Sequence, residues 1–493
     1  MSEQRGFDRR APFRKVHPFW FGLLCVLLAG ALGAGLFLVL HPRPRVTDGS
    51  GHYTVNLSPV AELIRRENEW VRGQDTPYVS IAVMLPMDPA ISPTSTQSTE
   101  SIRHALQGAY LAQYWSNHNE GAASAPNVQL LLADSSGDSD AWRATVGELK
   151  EKAAGQEHLV AVTGLGSSVA GTEKAIDELS AAQIAMVGAV ITSDKLADKA
   201  TMVRVSPPNS AQAKAIAHFL KGRGAVTAVL VQDEDGSDSY TSTLAASFTS
   251  AFADVVSPAN EESRLLDVSL TYSSALDRAD TVLGQMPEKI CASGANVVFF
   301  AGRWQNLPPF LRALVGRCDQ KITVITGDDA SNLNRSQPEP IWDDPRANLE
   351  VYYTALAHPA AWDRYPEAVQ PATAGRFRRG TDSFGAKFPG ESLDDGQAIM
   401  HHDAMLTAIK AVDTFAAQGT TRPTASAVAN LLTSAPFTVP AASGWISFDK
   451  RGNPVNKAIP VLRLFADGKV TFSELTSENG TLPGGPGGTA RVP

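Results

Sequence analysis

The sequence predicts an α/β protein of two doubly wound parallel-sheet lobes, preceded by one membrane-spanning helix. Three observations predict it. Residues 19–40 carry no charge; from residue 79 short apolar strands alternate with longer amphipathic helices; and a proline-bearing break at residues 204–208 divides those units into two similar groups. Strands separated by helices of this length imply right-handed βαβ units and parallel sheets.

The apolar run, FWFGLLCVLLAGALGAGLFLVL, is 22 residues long. At the helical rise it spans about 33 Å, enough to cross a bilayer core. Arg5, Arg9, Arg10, Arg14 and Lys15 precede it, against Glu3 and Asp8. This bias places residues 1–18 in the cytoplasm as a short tail and everything after His41 outside the cell membrane, despite Arg43 and Arg45 on the far side. A cleaved signal would have a shorter apolar region followed by an A-x-A-like site. Here the candidate, Ala29-Gly30-Ala31, lies inside the run, and Cys25 follows Leu24 where a lipid-modified cysteine needs a small residue. The reading is an uncleaved signal anchor.

Composition narrows the rest. Hydrophobic residues at 43% and charged residues at 19% allow a sizeable core and exclude wholesale disorder. Lys+Arg of 43 against Asp+Glu of 51 gives a net charge of −8, with no basic run in the main body, so nucleic acid is not an expected partner. Three cysteines are too few for a disulfide scaffold or a cysteine-rich zinc module.

Residues 41–58, polar and rich in Pro and Gly, read as the start of a tether region, 41–76, that ends in a short helix with Ser58 as N-cap and Pro59 in its first turn. Strands are expected at 79–86, 128–134, 159–164, 184–190, 225–233, 255–259, 296–302, 322–329 and 351–357. Helices are expected near 101–118, 139–155, 169–181, 209–222, 238–253, 275–290 and 307–316, followed by a long one at 396–418. Two short strands around a turn close the pattern at 444–465, and residues 476–493 form a turn-rich tail expected to be disordered.

In this order the local motifs resemble the type 1 periplasmic binding proteins, in particular the branched-chain amino acid and amide binders of ABC importers. The motifs are VSIAVMLPM with the helix IRHALQGAYLAQYW, then LVAVTGLGSSVAGTEKA, IAMVGAVITSDKL, NVVFFAGRWQNLPPFLRAL, HHDAMLTAIKAV and SGWISFDKRGNPVNKAIPVLRL. His402 stands where the family usually has tyrosine. The resemblance covers residues 77–475. It implies two lobes joined by a three-strand hinge, lobe 1 from 77–205 and 355–437, lobe 2 from 207–350 and 444–475. It also implies a small polar ligand, an amino acid or amide, held between the lobes and passed to an ABC permease, with no cofactor, no metal and no chemistry performed.

The resemblance assigns the ligand's carboxylate to Ser167 and Ser168, which follow a strand and a Gly-Leu-Gly turn and open a helix, where free N–H groups favour an anion. Either serine could instead simply cap that helix. Thr192 matches a threonine holding both ends of the ligand, with the Val190 carbonyl beside it. Asp329, or its neighbour Asp328, matches the acid that pairs with an ammonium. Tyr240 matches a tyrosine opening a lobe-2 helix. Arg303 and Trp304 fall where the family presents a closing aromatic residue; arginine is a departure that adds an anion contact and puts an aliphatic amino acid ligand in doubt. Cys291 and Cys318 each end a helix before a strand in successive βα units, so a disulfide between them is expected, with Cys25 left as a membrane-embedded thiol.

Two other readings compete. A tethered sensor or partner-recruiting ectodomain suits the absence of a lipid-attachment motif. A serine hydrolase using Ser168 has one foothold, because Gly166-Ser167-Ser168-Val169-Ala170 imitates a nucleophile elbow that His401 or His402 would complete. Against it, too few strands precede the elbow, no HGGG-type motif is present, and the histidines lie in a helix. Gly164-Leu165-Gly166 is too weak for dinucleotide binding, and His401-His402 for a metal, since neighbouring helical residues point apart.

Overall fold

The computed structural model describes residues 44–92, 95–120, 125–333, 340–343, 348–378, 380–434 and 437–483. The apolar run 19–40 and the end of the tail from 484 lie outside the described residues. Among the described residues no helix is long and apolar enough to cross a membrane. Residues from Arg45 onward form one compact unit.

Lobe 1 is built on the strands β1 (Val46–Thr47), β2 (Tyr78–Leu85), β3 (Asn127–Asp134), β4 (Leu159–Gly164), β5 (Ala185–Gly188) and β6 (Met202–Arg204). Their order is β1-β3-β2-β4-β5-β6, parallel except at β1. Apart from end residues these strands are buried, which is why they are continuous Val/Ile/Leu/Ala runs rather than alternating ones. Lobe 2 carries β7 (Thr227–Asp233), β8 (Arg264–Leu265), β9 (Leu270–Tyr272), β10 (Val297–Ala301), β11 (Ile322–Thr326), β12 (Leu349–Thr354), β15 (Ile459–Leu464) and β16 (Val470–Thr476), in the order β16-β15-β12-β11-β10-β7-β8 with β9 also on β7. The last two strands join antiparallel. A separate ribbon pairs β13 (Thr438–Ala441) with β14 (Gly444–Ser447). The chain thus passes from lobe 1 to lobe 2 after β6, returns after β12, and crosses again after β14.

The helices of eight residues or more are α1 (Ser58–Arg72), α2 (Thr99–Trp115), α3 (Trp142–Ala154), α4 (Ala170–Ala181), α5 (Asn209–Lys221), α6 (Ser239–Ala251), α7 (Ala279–Ser293), α8 (Leu307–Leu314), α9 (Pro371–Arg378), α10 (Gln397–Ala417) and α11 (Ala425–Thr433). Helices α2 and α10 pack closely because residue 108 is glycine: a Cβ there would lie 2.0 Å from the Ala398 carbonyl oxygen. In lobe 1 β2 sits between β3 and β4, and in lobe 2 β7 sits between β8 and β10, so the strand order reverses beside β2 and beside β7. The C-terminal ends of the strands at such a reversal are where open α/β sheets hold ligands.

Several sequence expectations change. Residues 255–259 are not a strand; the chain continues from α6 through the π-turn Phe252–Val256 and the helical turn Ser257–Ala259, with Val256 buried in the lobe-2 core. Ser58 is the first residue of α1 rather than its cap, its hydroxyl donating to the Thr54 carbonyl. Part of the expected tether is held in the sheet: β1 pairs with β3, and the N–H groups of Arg45 and Val46 donate to Glu148. The two strands expected as a closing hairpin at 444–465 belong to different sheets, β14 and β15.

Cys291 in α7 and Cys318 after α8 are joined by a disulfide, with Cα atoms 5.0 Å apart and a sequence separation of 27. Closing a loop of that size restricts the unfolded chain, so replacing both cysteines with serine is expected to cost about 3–4 kcal/mol. Urea denaturation of the oxidised protein and of the Cys291→Ser/Cys318→Ser variant measures it.

Candidate functional site

The site is assembled by loops at the C-terminal ends of β2, β4 and β5 in lobe 1 and of β7, β10 and β11 in lobe 2. After β4 the chain takes three successive left-handed residues, Gly164, Leu165 and Gly166 (φ 86°, 73° and 69°). Two of the three are glycine, which adopts this geometry freely; Leu165 is held in it by burial and by its N–H donating to the Met84 carbonyl. This tight turn delivers Ser167 and Ser168, but α4 begins only at Ala170 and neither serine caps it. The Ser168 hydroxyl oxygen instead accepts the N–H groups of Thr192 (3.1 Å) and Ser193 (3.2 Å), tying the loop after β4 to the loop after β5. Ser167 accepts from the Thr96 hydroxyl at 2.7 Å. Val190 packs against the lobe-1 core.

In lobe 2, Asp238 is the N-cap of α6, accepting from the Tyr240 and Thr241 N–H groups. The chain leaving β10 turns at Gly302, where a Cβ would meet the Tyr272 hydroxyl at 2.2 Å, and presents Arg303 and Trp304. Arg303 is 6% exposed and forms a bidentate pair with Asp238, Nε to Oδ2 at 2.6 Å and Nη2 to Oδ1 at 2.9 Å. Its Nη1 donates to Asp329 Oδ1 at 2.9 Å, and its guanidinium carbon lies 4.2 Å from the centre of the Tyr240 ring. The other oxygen of Asp329 accepts the Trp304 N–H at 2.8 Å.

The lobes touch directly here. Arg303 Nη2 donates to the Ser168 carbonyl (3.4 Å), Trp304 Nε1 to the Thr96 carbonyl (2.6 Å), and the Thr192 hydroxyl to Asp328 (3.3 Å). The Ala170 N–H donates to the Ser237 carbonyl at 3.0 Å. On either side of this contact two interlobe cavities remain. One, of about 390 Å³, is bordered by Thr96, Asp238 and Arg303; the other, of about 720 Å³, by His104, Asn332 and Lys469.

Electrostatics follow burial. Burial pushes Asp328 up to about 7, against a hydrogen bond from Gln212 that lowers it; the neighbouring Asp329 adds to the rise and Arg303 opposes it. Burial also raises Asp329, with Arg303 opposing. Arg303 itself is driven further above its ordinary range: burial works against it, and Asp238 and Asp329 outweigh burial. Asp328 is shared by Gln212 Nε2 (2.9 Å), whose Oε1 accepts from Thr354 at the second crossing between lobes. A carboxyl raised on folding stabilises the protein below its unfolded value and loses that contribution as pH rises through its folded value. Stability is therefore expected to fall between about pH 4 and pH 7 by up to about 4 kcal/mol from Asp328. Denaturation across that window should show the slope in the wild type, and a shallower one in Asp328→Asn.

Of the eight residues singled out in the sequence, Ser167, Ser168, Thr192, Tyr240, Arg303, Trp304 and Asp329 are linked within this cluster, while Val190 packs against the lobe-1 core. The first N–H of the helix start meant for an anion, that of Ala170, donates to the Ser237 carbonyl, and the acid meant for an ammonium pairs with Arg303. The missed residues are Asp238, Thr96 and Gln212. Only Asp238 left a trace in sequence, as the capping residue of Asp-Ser-Tyr-Thr. No hydrolase pair is assembled: Ser168 is held by backbone N–H groups, His401 Nδ1 lies on the Gln397 carbonyl, and His402 lies between Asp403 and Arg376. Among the described residues no cluster of His, Cys, Asp and Glu is placed to hold a metal ion.

No protein-family model matches the sequence, and no curated protein matches it. Solved structures do. A leucine-binding protein from Thermotoga maritima superposes with a TM-score of 0.60 at 18% identity, over 80% of this chain and 98% of its own. The fold is that of the type 1 periplasmic binding proteins. A branched-chain amino acid transporter substrate-binding protein from Streptococcus pneumoniae, in complex with isoleucine, matches at a TM-score of 0.57 and 15% identity, over 81% and 99% of the two chains. A solute-binding protein of an ABC transporter from R. palustris, in complex with benzoate, matches at 0.54 and 13%, over 81% and 96%. These neighbours of the periplasmic binding-protein fold are solute-binding proteins, not enzymes.

Proposed function

We propose that this chain is a membrane-anchored extracellular solute-binding protein that takes a small polar ligand, amino acid or amide-like, between its lobes and serves an ABC importer. One observation carries the reading: at the strand ends beside the order reversal, buried polar and charged groups from both lobes converge on a single cleft, as Ser168 and Thr192 meet Arg303 and Asp328. A ligand gripped by both lobes favours the closed arrangement by its differential affinity for it. The anchor rests on residues 19–40 and the basic residues before them.

A thermal-shift screen of the full chain in detergent against amino acids, amides, urea and small anions tests ligand capture. A ligand at about 100 times its Kd should add about 2.7 kcal/mol and raise Tm. A flat response to every compound would contradict the reading. For topology, the expected result is an intact N-terminus by mass spectrometry. A mature end near residue 32, or a diacylglycerol on Cys25, would contradict it.

A second reading, a tethered sensor or partner-recruiting ectodomain, is favoured by one specific observation: the charged groups of the cleft, Arg303, Asp238, Asp328 and Asp329, are partnered within the chain.

A further inference from the structure

Of the poles that a zwitterion would use, the cationic one is occupied by the protein itself and the anionic one has lost its first donor. At the anionic pole, the first N–H of α4 is not open to a ligand, because Ala170 donates it across the cleft to the Ser237 carbonyl. At the cationic pole, Asp329 has no oxygen free: Arg303 and Asn332 share Oδ1, and the Trp304 N–H takes Oδ2. Arg303 has the surroundings of a captured organic cation. A bidentate carboxylate and a second carboxylate neutralise it, an aromatic face lies beneath it, and a carbonyl of the opposite lobe accepts one of its protons. Four of the contacts its five N–H groups can make are formed within the chain.

We propose that Arg303 is a resident ligand of the cleft, filling the cationic pole and joining the lobes through Ser168, so that this site refuses any molecule whose ammonium would need Asp329. The inference rests on the solute-binding reading for the place of the site and narrows its ligand class. The space left beside Arg303, about 390 Å³, is bordered by Asp238 and by Arg303 itself. Lys174 and Asp235 line it as well, so charges of both signs border it and it suits small uncharged polar molecules, amides among them. Arg303 is thereby a specificity-determining residue that acts by occupying the place of a charged group.

Chemical complementation tests it. Arg303→Ala removes the side chain from Cγ onward, two methylenes and the guanidinium, and leaves its two carboxylates facing an empty slot. In the full chain, calorimetry should detect ethylguanidinium binding to Arg303→Ala and none to the wild type, and the compound should raise the Tm of the variant alone. Wild type should ignore leucine, glycine and other α-amino acids. A variant that folds but does not bind ethylguanidinium overturns the proposal. So does a wild type that binds an α-amino acid, a result that leaves solute capture standing. Complementation with a wild type silent to every solute upholds the resident ligand and instead fails the capture reading.

If Arg303→Ala does not fold, the neutral pair Arg303→Gln/Asp238→Asn removes one charge of each sign and keeps similar volumes. Amide exchange at Ala170 should then speed by about tenfold or more as the lobes part. Exchange unchanged from wild type overturns the proposal.

Discussion

Arg303→Ala is expected to lower stability by about 3–5 kcal/mol at pH 7, the range seen when one partner of a buried ion pair is removed. Asp238 and Asp329 are only 6% and 5% exposed, so without the guanidinium two like charges stay buried together. The fold can relieve this by parting the lobes or by protonating a carboxyl. Burial already raises Asp329 against the opposition of Arg303, and without that opposition it would rise further, so the deficit should shrink as pH falls from 7 towards 4. Arg303→Lys should fall between wild type and alanine, because an ammonium keeps the charge but cannot reproduce the fork that meets both oxygens of Asp238. Urea denaturation at pH 7 and pH 5 measures each term. A loss under about 1 kcal/mol at pH 7 would mean that the cluster is not closed in solution.

Asp403→Ala should be comparably severe, at about 3–5 kcal/mol, and for a reason that lies in lobe 1 rather than in the cleft. Asp403 is fully buried in α10, where it accepts the N–H groups of Ala442 (3.1 Å) and Ser443 (2.7 Å) and pairs with His402 (2.8 Å). Its other neighbour is Lys457, which donates to the Ser443 carbonyl and hydroxyl, both at 2.7 Å. Burial pulls Lys457 down to about 8, against the attraction of Asp403. Alanine would orphan two buried N–H groups and leave that ammonium without its counter-charge. The network holds Asp403 below the usual carboxylate range, because His402, Lys457 and Ser443 together outweigh burial. A depressed carboxyl contributes stability above its unfolded value and loses it as pH falls through the folded one. Wild type should therefore lose this contribution on the acid side, and Asp403→Ala should lack that part of the acid dependence. The same network accounts for His402 where the family has tyrosine: its two ring nitrogens face Asp403 and Arg376, and Phe377 packs edge-on against it.

The architecture was legible because each buried parallel strand is a short apolar run set between polar helices, and β2, β4, β7, β10 and β11 all show this. The false strand at 255–259 has the same surface appearance, with two valines, a serine and a proline. Nothing local distinguishes a β-branched pair in a sheet from one on the inner side of a continuing helix, where Val256 meets the lobe-2 core. At the site, positions were legible and pairings were not. Arg303 and Asp238 lie 65 residues apart, and Trp304 and Thr96 lie 208 apart; neither pairing has a spacing signature. Asp238 reads in sequence only as a helix cap, a role it does perform while its outer edge holds Arg303. Asp329 was found by resemblance. The resemblance carried with it an external ammonium, and sequence alone does not reveal that the cation is supplied by the chain itself.

The most direct measurement is amide hydrogen exchange on ligand-stripped wild-type protein, read at Ala170 and Trp304. Their N–H groups donate to the Ser237 carbonyl across the cleft and to Asp329 beside Arg303. With the lobes shut around Arg303, both amides should be protected in the absence of any solute, and adding α-amino acids should change neither. Exchange at the unprotected rate, slowed only when a solute is added, would contradict this and restore an open cleft that waits for its ligand.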